Sequence, residues 1–337
     1  MKVMAIDGGF GLEQLKLVER PDPEPGPNEV LLKMKAASLN YRDLLMITGQ
    51  YNPKQPLPLV PCSDGVGEVV AVGEGVSRFA VGDRAAPVFA PEWISGRPDY
   101  QRLRTTLGGP LDGVLAEQMV VDEAAAVKVP GYLSDEEAAT LPCAALTAWT
   151  TLVIEGGLKA GDWVLIQGSG GVSIFALQLA TIFGARTIAT SSSDAKLERM
   201  RELGADRALN YKETPKWGRE VRKLADGRGV DLIVEVGGAQ TLAESLASVA
   251  MGGFIGLIGV LSGNAAPLNF TSVFMKYVRI QGILVGHRDG FEAMNRALEA
   301  AELRPVVDKV FDVADSRAAL EYLQSGAHFG KVCVCFS

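Results

Sequence analysis

The sequence predicts an α/β chain in which a doubly wound parallel sheet is joined to a compact β-rich domain with few helices. Three observations carry that prediction. First, the apolar run Val164-Leu165-Ile166-Gln167 ends in Gly168-Ser169-Gly170-Gly171, and Phe175, Ala176, Leu179 and Ala180 follow at helical spacing. The order is strand, tight turn, helix. Second, the alternation repeats downstream, with apolar runs at Thr187 to Thr190, Asp231 to Val236, Phe254 to Val260 and Ile280 to Val285, most of them flanked by glycine. Such runs separated by helical patterns describe a parallel sheet with its ligand at the strand C-terminal ends. Third, the first 121 residues have another texture, with short alternating runs punctuated by glycine and proline.

Composition bounds the answer. The chain has 337 residues, enough for about two domains with cores of their own. It is 47% hydrophobic and 22% charged, which places it among ordinary globular proteins. A net charge of -7 gives no electrostatic reason to expect nucleic acid or an anionic membrane as partner. No apolar run approaches the roughly 20 residues that span a bilayer. Asp7 and Gly8 interrupt the N-terminal stretch where a signal peptide would continue its apolar core. Cys62, Cys143, Cys333 and Cys335 are too few and too scattered for a disulfide framework. A cytoplasmic setting is expected.

Taken in order, Val30 to Ala36, Gly67 to Val72 and Ala85 to Phe89 read as strands. Pro21 to Pro27 can be neither helix nor central strand. Tyr41 to Ile47 reads as a short helix with Asn40 at its start. Pro91 to Gly113 is a long polar, glycine-bearing insertion, either a mobile surface excursion or a lid. Ser134-Asp135-Glu136-Glu137 is a capping pattern that opens a helix. Leu141-Pro142-Cys143 breaks it, and Leu146 to Ile154 resumes as a long helix. Asp194 to Leu203 is a helix with Asp194 near its N-cap. Gly290 to Leu303 is helical, Val306 to Val313 a strand, Ser316 to Gln324 a helix and Lys331 to Phe336 a closing strand. Cys333 and Cys335 share one face of that strand and read as small packing residues.

The glycine turn fits the dinucleotide fingerprint G-x-G-x-x-G at Gly168 and Gly170, with Ser173 in the third place. Glycine permits positive φ and close approach, and the N–H groups of Ser169, Gly171 and Val172 at the helix start suit a pyrophosphate. A glycine turn without a ligand is the alternative. The second strand then ends in Ser191-Ser192-Ser193, with Lys196 beyond, where NAD enzymes usually carry an acid. Hydroxyls plus a cation suit a 2′-phosphate, so NADPH is the expected cofactor. Asp194 is the competing acid, and a solvated helix face the competing role for Lys196. Gly259-Val260-Leu261 follows the fifth strand, where the fold puts backbone beside the nicotinamide.

Six stretches match a known family: Ala36 to Asp43, Asp64 to Val70, Val81 to Arg84, Leu141 to Ala148, the glycine turn, and Leu203 to Asp206. Over its whole length the chain resembles the medium-chain dehydrogenase/reductase superfamily, in particular its zinc-free, quinone oxidoreductase-like branch, which includes a lens crystallin. The resemblance implies a Rossmann sheet inserted into a GroES-like catalytic domain. Residues 1–122 and 287–337 would form the catalytic domain and 123–286 the NADP-binding domain. It also implies a homodimer joined edge to edge through the Ile280 to Val285 strand. Thr147, Tyr211, Arg288 and Lys331 fall at places that contact the cofactor in similar reductases.

Metal-dependent members hold catalytic zinc with Cys, His followed by Glu, and Cys. Here the matching places carry Asn40, Ser63 with Asp64, and Cys143, and an amide and a hydroxyl are poor zinc ligands. Pro87 to Gly113 has no cysteine for a structural zinc. Without a metal the chemistry favours an acceptor already primed for hydride, a quinone or an α,β-unsaturated carbonyl. The enzyme then supplies orientation and a donor to the oxygen that gains charge. Asn40, Arg42 and Tyr51 are the candidate catalytic donors. Tyr51 matches the proton-donating tyrosine of related enoyl reductases, or is a packing residue; an ion pair of Arg42 with Asp43 that holds the short helix is the alternative role for Arg42. Two histidines, His287 and His328, make no convincing hydrolase. The alternatives are an alcohol dehydrogenase-like enzyme and a non-catalytic NADPH-binding sensor or structural protein.

Overall fold

A computed structural model describes residues 1–336. The chain forms two compact units, Met1–Leu146 with Gly286 onward, and Thr147–Val285. The first unit therefore runs past the boundary expected near residue 122. The reason is pairing: strand Ala126–Lys128 lies against Arg84–Pro87, and helix Asp135–Ala139 packs on strands Glu29–Leu39 and Asp64–Val72.

The second unit is a parallel sheet of six strands. In spatial order they are Arg207–Asn210, Arg186–Ser191, Trp163–Gln167, Val230–Glu235, Val249–Leu257 and Arg279–Gly282. Numbered along the chain that order is 3-2-1-4-5-6, the doubly wound arrangement, with its reversal between Trp163–Gln167 and Val230–Glu235. The strands are buried on both faces, so Val164, Leu165, Ile166 and Leu232, Ile233, Val234 are continuous apolar runs. Trp217, Val221 and Leu246, from helices Trp217–Leu224 and Leu242–Ser248, pack on Leu165, Ile188, Ile233 and Ile255. The last strand stops at Gly282 rather than Val285, whose φ is positive at 49°.

The first unit is built on a sheet in the order Val307–Asp312, Lys331–Cys335, Glu29–Leu39, Asp64–Val72, Arg84–Pro87, Ala126–Lys128, with Gln118–Asp122 also paired to Glu29–Leu39. All neighbours are antiparallel except the first two. An antiparallel pair of Lys2–Ile6 and Leu15–Glu19, unforeseen in the sequence, stands apart. Helix Tyr41–Ile47 is where its pattern placed it.

One expectation about the helices needs correction. The segment after Pro142 is not one long α-helix: wide π turns at Leu141–Ala145 and Thr150–Glu155 flank a single α turn at Leu146–Trp149. Pro142 removes a donor there, and the Thr151 hydroxyl donates to Thr147 O at 2.7 Å. Residues 91–113 carry structure of their own. Trp93 is buried and donates from Nε1 to Gly96 O, Leu107 N–H bonds Phe89 O, and Gly113 N–H bonds Val60 O. No helix among the described residues is long and apolar enough to cross a membrane.

Candidate active site

In the sheet unit, strand Trp163–Gln167 enters its glycine turn where the strand order reverses, the place at which an open sheet leaves a crevice for ligand. Gly168 has φ of +70°, and nothing lies within 4 Å of where a Cβ would stand. The torsion, not space, selects glycine. Ser173 is buried and its hydroxyl donates to Gln167 O at 2.6 Å. That bond ties the first turn of helix Gly171–Ile182 to the strand end, so the third place of the fingerprint is closed by a hydroxyl. The helix begins at Gly170 without a side-chain cap, which leaves first-turn N–H groups of the kind that bind phosphate. Ser169 is buried within the turn.

At the fifth strand's end, a Cβ on Gly259 would stand 2.4 Å from Val236 O, so close backbone approach requires glycine. Val260 and Leu261 beyond it are exposed. Thr147 is buried in the same unit, and its carbonyl accepts the Thr151 hydroxyl.

At the second strand's end, Ser191 is buried; its Oγ accepts from Ser193 N–H at 3.3 Å and its carbonyl from Tyr211 N–H at 3.1 Å. Ser191, Ser192 and Tyr211 are thereby brought together. Tyr211 is partly exposed. The N-cap of helix Asp194–Glu202 is Ser193, whose Oγ accepts from Lys196 N–H, and not Asp194. Asp194 instead accepts from Asn210 Nδ2 at 2.9 Å. Lys196 stands in the first turn of that helix.

Two residues missed in the sequence brace this crevice from behind. Glu235, fully buried at the end of its strand, accepts from Gln167 Nε2, Ser245 Oγ, Thr241 Oγ1 and the N–H groups of Gly237 and Gly238. The available signal was a polar residue closing each of two apolar runs just ahead of glycine.

In the other unit, adjacent strand ends gather a polar cluster. Lys331 begins strand Lys331–Cys335, beside Leu39 at the end of Glu29–Leu39, and Asp64 begins the next strand, opposite Ser38. Lys331 is only 3% exposed; its ammonium donates to Leu39 O and to Asn40 Oδ1, both at 2.6 Å. Asp64 accepts from Ser63 Oγ at 2.7 Å and Cys143 N–H at 3.0 Å. Burial pushes the Asp64 carboxyl up, opposed first by the Lys331 ammonium. Burial, and then the Asp64 charge, push the Cys143 thiol up as well. Asn40 caps the short helix, with its backbone N–H on Asp43 Oδ2 at 2.8 Å. The buried Asn40 side chain lies against the Asp64 carboxylate and helps to hold its pKa down, although Nδ2 makes no hydrogen bond of normal geometry.

Arg42 donates to Leu107 O at 2.9 Å and Gly109 O at 3.1 Å. Its guanidinium carbon lies 5.2 Å from the Tyr51 ring centroid and 4.9 Å from that of Phe89. The expected ion pair with Asp43 is present but long, 3.7 Å, so Arg42 chiefly clamps the end of the 91–113 segment. Asp43 is fully buried, and that burial raises its pKa to about 6 against the pull of Arg42. Tyr51 is half-exposed over the guanidinium. Arg288 is engaged within its own unit, by Ala124 O at 3.2 Å and Asp289 at 3.0 Å. The Lys331 ammonium is held by Leu39 O and Asn40 Oδ1.

Comparison with known proteins gives consistent relatives. Residues 26–131 match the model of the alcohol dehydrogenase GroES-like domain, and residues 171–302 that of the zinc-binding dehydrogenases. The chain is 44% identical to a zinc-type alcohol dehydrogenase-like protein of Schizosaccharomyces pombe, with 98% of each covered. It is 32% identical to an acryloyl-coenzyme A reductase of Metallosphaera sedula, over 98% of the chain and 99% of that protein. Among solved structures, an NAD-dependent alcohol dehydrogenase superposes with a TM-score of 0.92 at 37% identity, covering 100% of both chains. A mycobacterial protein in complex with NADPH and a mycobacterial quinone oxidoreductase each give 0.82, at 27% and 28% identity and 99% coverage of both chains.

Zinc, which the second model's description implies, does not suit the side chains present. The Asn40 oxygen is taken by an ammonium, Ser63 spends its hydroxyl on Asp64, and the Cys143 thiol is held away from its thiolate. Among the described residues no group of three His, Cys, Asp or Glu is placed to hold a metal.

Proposed function

The chain belongs to the medium-chain dehydrogenase/reductase superfamily, and from that premise we propose an NADPH-dependent, zinc-independent oxidoreductase of its quinone oxidoreductase-like branch, transferring hydride to a quinone or an α,β-unsaturated carbonyl. The observation that carries the reading is the Lys331–Asn40 bond at 2.6 Å, which puts an ammonium among the side chains where metal-dependent relatives gather ligands.

Gly168, Ser169, Gly170, Gly171 and Val172 would hold the pyrophosphate; Ser191, Ser192, Lys196 and Tyr211 the 2′-phosphate; Thr147, Gly259, Val260 and Leu261 the nicotinamide end. When bound, NADPH supplies hydride. The protein's own part is orientation and a hydrogen bond to the acceptor oxygen that gains charge. Asn40 Nδ2 and the Tyr51 hydroxyl are the two donors suited to it. Arg42 positions Tyr51 and the 107–109 backbone. Acceptors with a conjugated carbonyl need no Lewis acid, in keeping with side chains at Asn40, Ser63 and Cys143 that are poor zinc ligands.

An alcohol dehydrogenase is the second reading, favoured by the NAD-dependent neighbour of that name. One experiment separates them: oxidation of NADPH and NADH followed against quinones, enones, enoyl thioesters and aldehydes, with and without chelator. Quinone or enone turnover with NADPH that survives chelation supports the proposal. Aldehyde turnover alone, or loss of activity in chelator, sinks it. Absence of turnover with every acceptor would favour a binding protein.

A homodimer in a cytoplasmic setting belongs to the same proposal. Arg279–Gly282 is an edge strand with one neighbour, and Met251, Tyr277 and Leu284 near it are exposed. Light scattering giving a monomer mass at micromolar concentration would refute the dimer.

A further inference from the structure

Strand Gln118–Asp122 has one neighbour, Glu29–Leu39, and no other strand among the described residues pairs with its second flank. The pairing fixes which of its main-chain groups are free. Met34 N–H donates to Glu117 O and Glu123 N–H to Asn28 O, one step beyond each end of the ladder. Antiparallel bonding alternates with a period of two, so Met119 and Val121 also bond inward. The N–H and C=O groups of Gln118, Val120 and Asp122 therefore point outward. On that outer flank Met4 N–H donates to Leu115 O and Glu117 N–H to Lys2 O, so the N-terminal strand covers the flank as far as residue 117. Beyond it the edge is open.

A groove of about 380 Å³ runs along this edge, lined by all five residues of the strand. Its other walls are largely apolar, with Val3, Val60, Leu107, Leu111 and Ala116. All of these residues belong to the first unit. A row of outward main-chain groups beside apolar walls suits an extended chain that adds itself as one more strand: the backbone bonds give affinity and alternate side chains enter the groove. Natural sheet edges are commonly blunted by lysine, proline or a bulge. Gln118-Met119-Val120-Val121-Asp122 has neither lysine nor proline, and its register with Glu29–Leu39 runs without a shift.

The charges at the groove select its guest. Arg20 is paired with Asp112, and the N-terminal ammonium with Asp22. Glu29 and Asp122 remain. They stand directly opposite one another in the ladder, both line the groove, and their side chains accept only from the backbone N–H groups of Gly26 and Ala124. Like charges so placed are destabilising, and a cation brought between them relieves both. A second copy of the chain fits poorly, because it would bring four carboxylates to one short interface. We propose that the edge of Gln118–Asp122 docks an extended segment of another protein, apolar at alternate positions and carrying a lysine or arginine where it passes Glu29 and Asp122. This site is independent of the hydride-transfer reading.

The test titrates the full-length protein calorimetrically with two capped synthetic peptides of alternating valine and threonine, one with lysine at both ends and one with glutamate. The lysine peptide should bind, and the glutamate peptide at least about tenfold more weakly, the scale of one charged contact. Val120→Pro deletes an outward N–H and leaves the inward ladder intact, a placement that proline tolerates on an edge strand. Its circular dichroism should match the wild type, while the lysine peptide binds about tenfold more weakly or not at all. Should that variant fail to fold, Glu29→Gln combined with Asp122→Asn answers instead: the two peptides should then bind about equally. Several results would overturn the proposal: no binding at millimolar peptide, equal wild-type affinities for the two peptides, or undiminished binding in a folded Val120→Pro. Persistent discrimination in the double variant would overturn it too. So would a light-scattering mass that falls in Val120→Pro, since the edge would then be covered by a second copy.

Discussion

Gln167 Nε2 donates to Glu235 Oε2 at 2.8 Å, a buried bond between the two strands at which the sheet order reverses. Each residue is the last of its strand, and each precedes a glycine turn by one or two positions. The carboxylate thus sets the spacing of the two strand ends and also collects the N–H groups of Gly237 and Gly238.

Glu235→Ala removes the acceptor of several buried donors at once. Each donor left unpaired costs roughly 1–3 kcal/mol, and water entering the space recovers part of it. The expected loss is about 3 kcal/mol or more, read as a lower urea midpoint. Nucleotide affinity should fall with it, because the crevice walls lose their brace. Glu235→Gln keeps one acceptor oxygen and should lie between.

Cofactor choice should follow the Ser191 end of the second strand. NADPH is expected to bind more tightly than NADH in fluorescence titration, and Ser191→Asp to reverse the order by repelling the 2′-phosphate. Lys196→Ala should weaken NADPH by about tenfold or more, the worth of one charged hydrogen bond at roughly 1.5–3 kcal/mol. Equal wild-type affinities would remove the assignment.

Tyr51→Phe keeps the ring over Arg42 and deletes only the hydroxyl. If that hydroxyl protonates an enone product, kcat for enones should fall by about 10²-fold, and quinone reduction should suffer less. Unchanged enone rates would leave Tyr51 as a wall.

His287 caps the helix Arg288–Ala300 by accepting Gly290 N–H on Nδ1 at 2.9 Å, which requires an unprotonated ring nitrogen. Burial holds its pKa below the usual 6.5, with Asp289 opposing. As pH falls through 6.5 the unfolded chain takes up the proton first, so stability declines from there until the lowered folded value is passed. Asp43, raised to about 6, acts with the opposite sign in the same window. His287→Asn keeps a capping oxygen that does not titrate. Between pH 7 and 5 its Tm should decline less than that of the wild type.

The sheet unit was legible because buried parallel strands are written as unbroken apolar runs ended by glycine. Its strand ends were less so: Val285 looks like strand until its φ is known. Helix Tyr41–Ile47 was legible because its cap and periodicity are both local. The roles of Lys331 and Glu235 were not, because they arise from pairing. Lys331 meets Asn40 across 291 positions, and no local pattern encodes which acceptor a buried ammonium will find. Asp194 shows the same limit at short range. A serine and an aspartate are both good caps, and only the position of Asn210, on the next strand, settles which one does so.

The placement of Lys331–Cys335 between Val307–Asp312 and Glu29–Leu39 bears on how the protein is made. Synthesis runs from the N-terminus at about 5–20 residues per second, so the long strand Glu29–Leu39 waits with half of one flank open until Lys331–Cys335 has been made. The Thr147–Val285 sheet contains all its strands and can finish first. An open, apolar strand flank is a template for pairing with other chains. Nascent chains arrested shortly before residue 331 should therefore be the species most dependent on chaperones, and removal of strand Lys331–Cys335 should yield aggregates in which the parallel sheet is still formed.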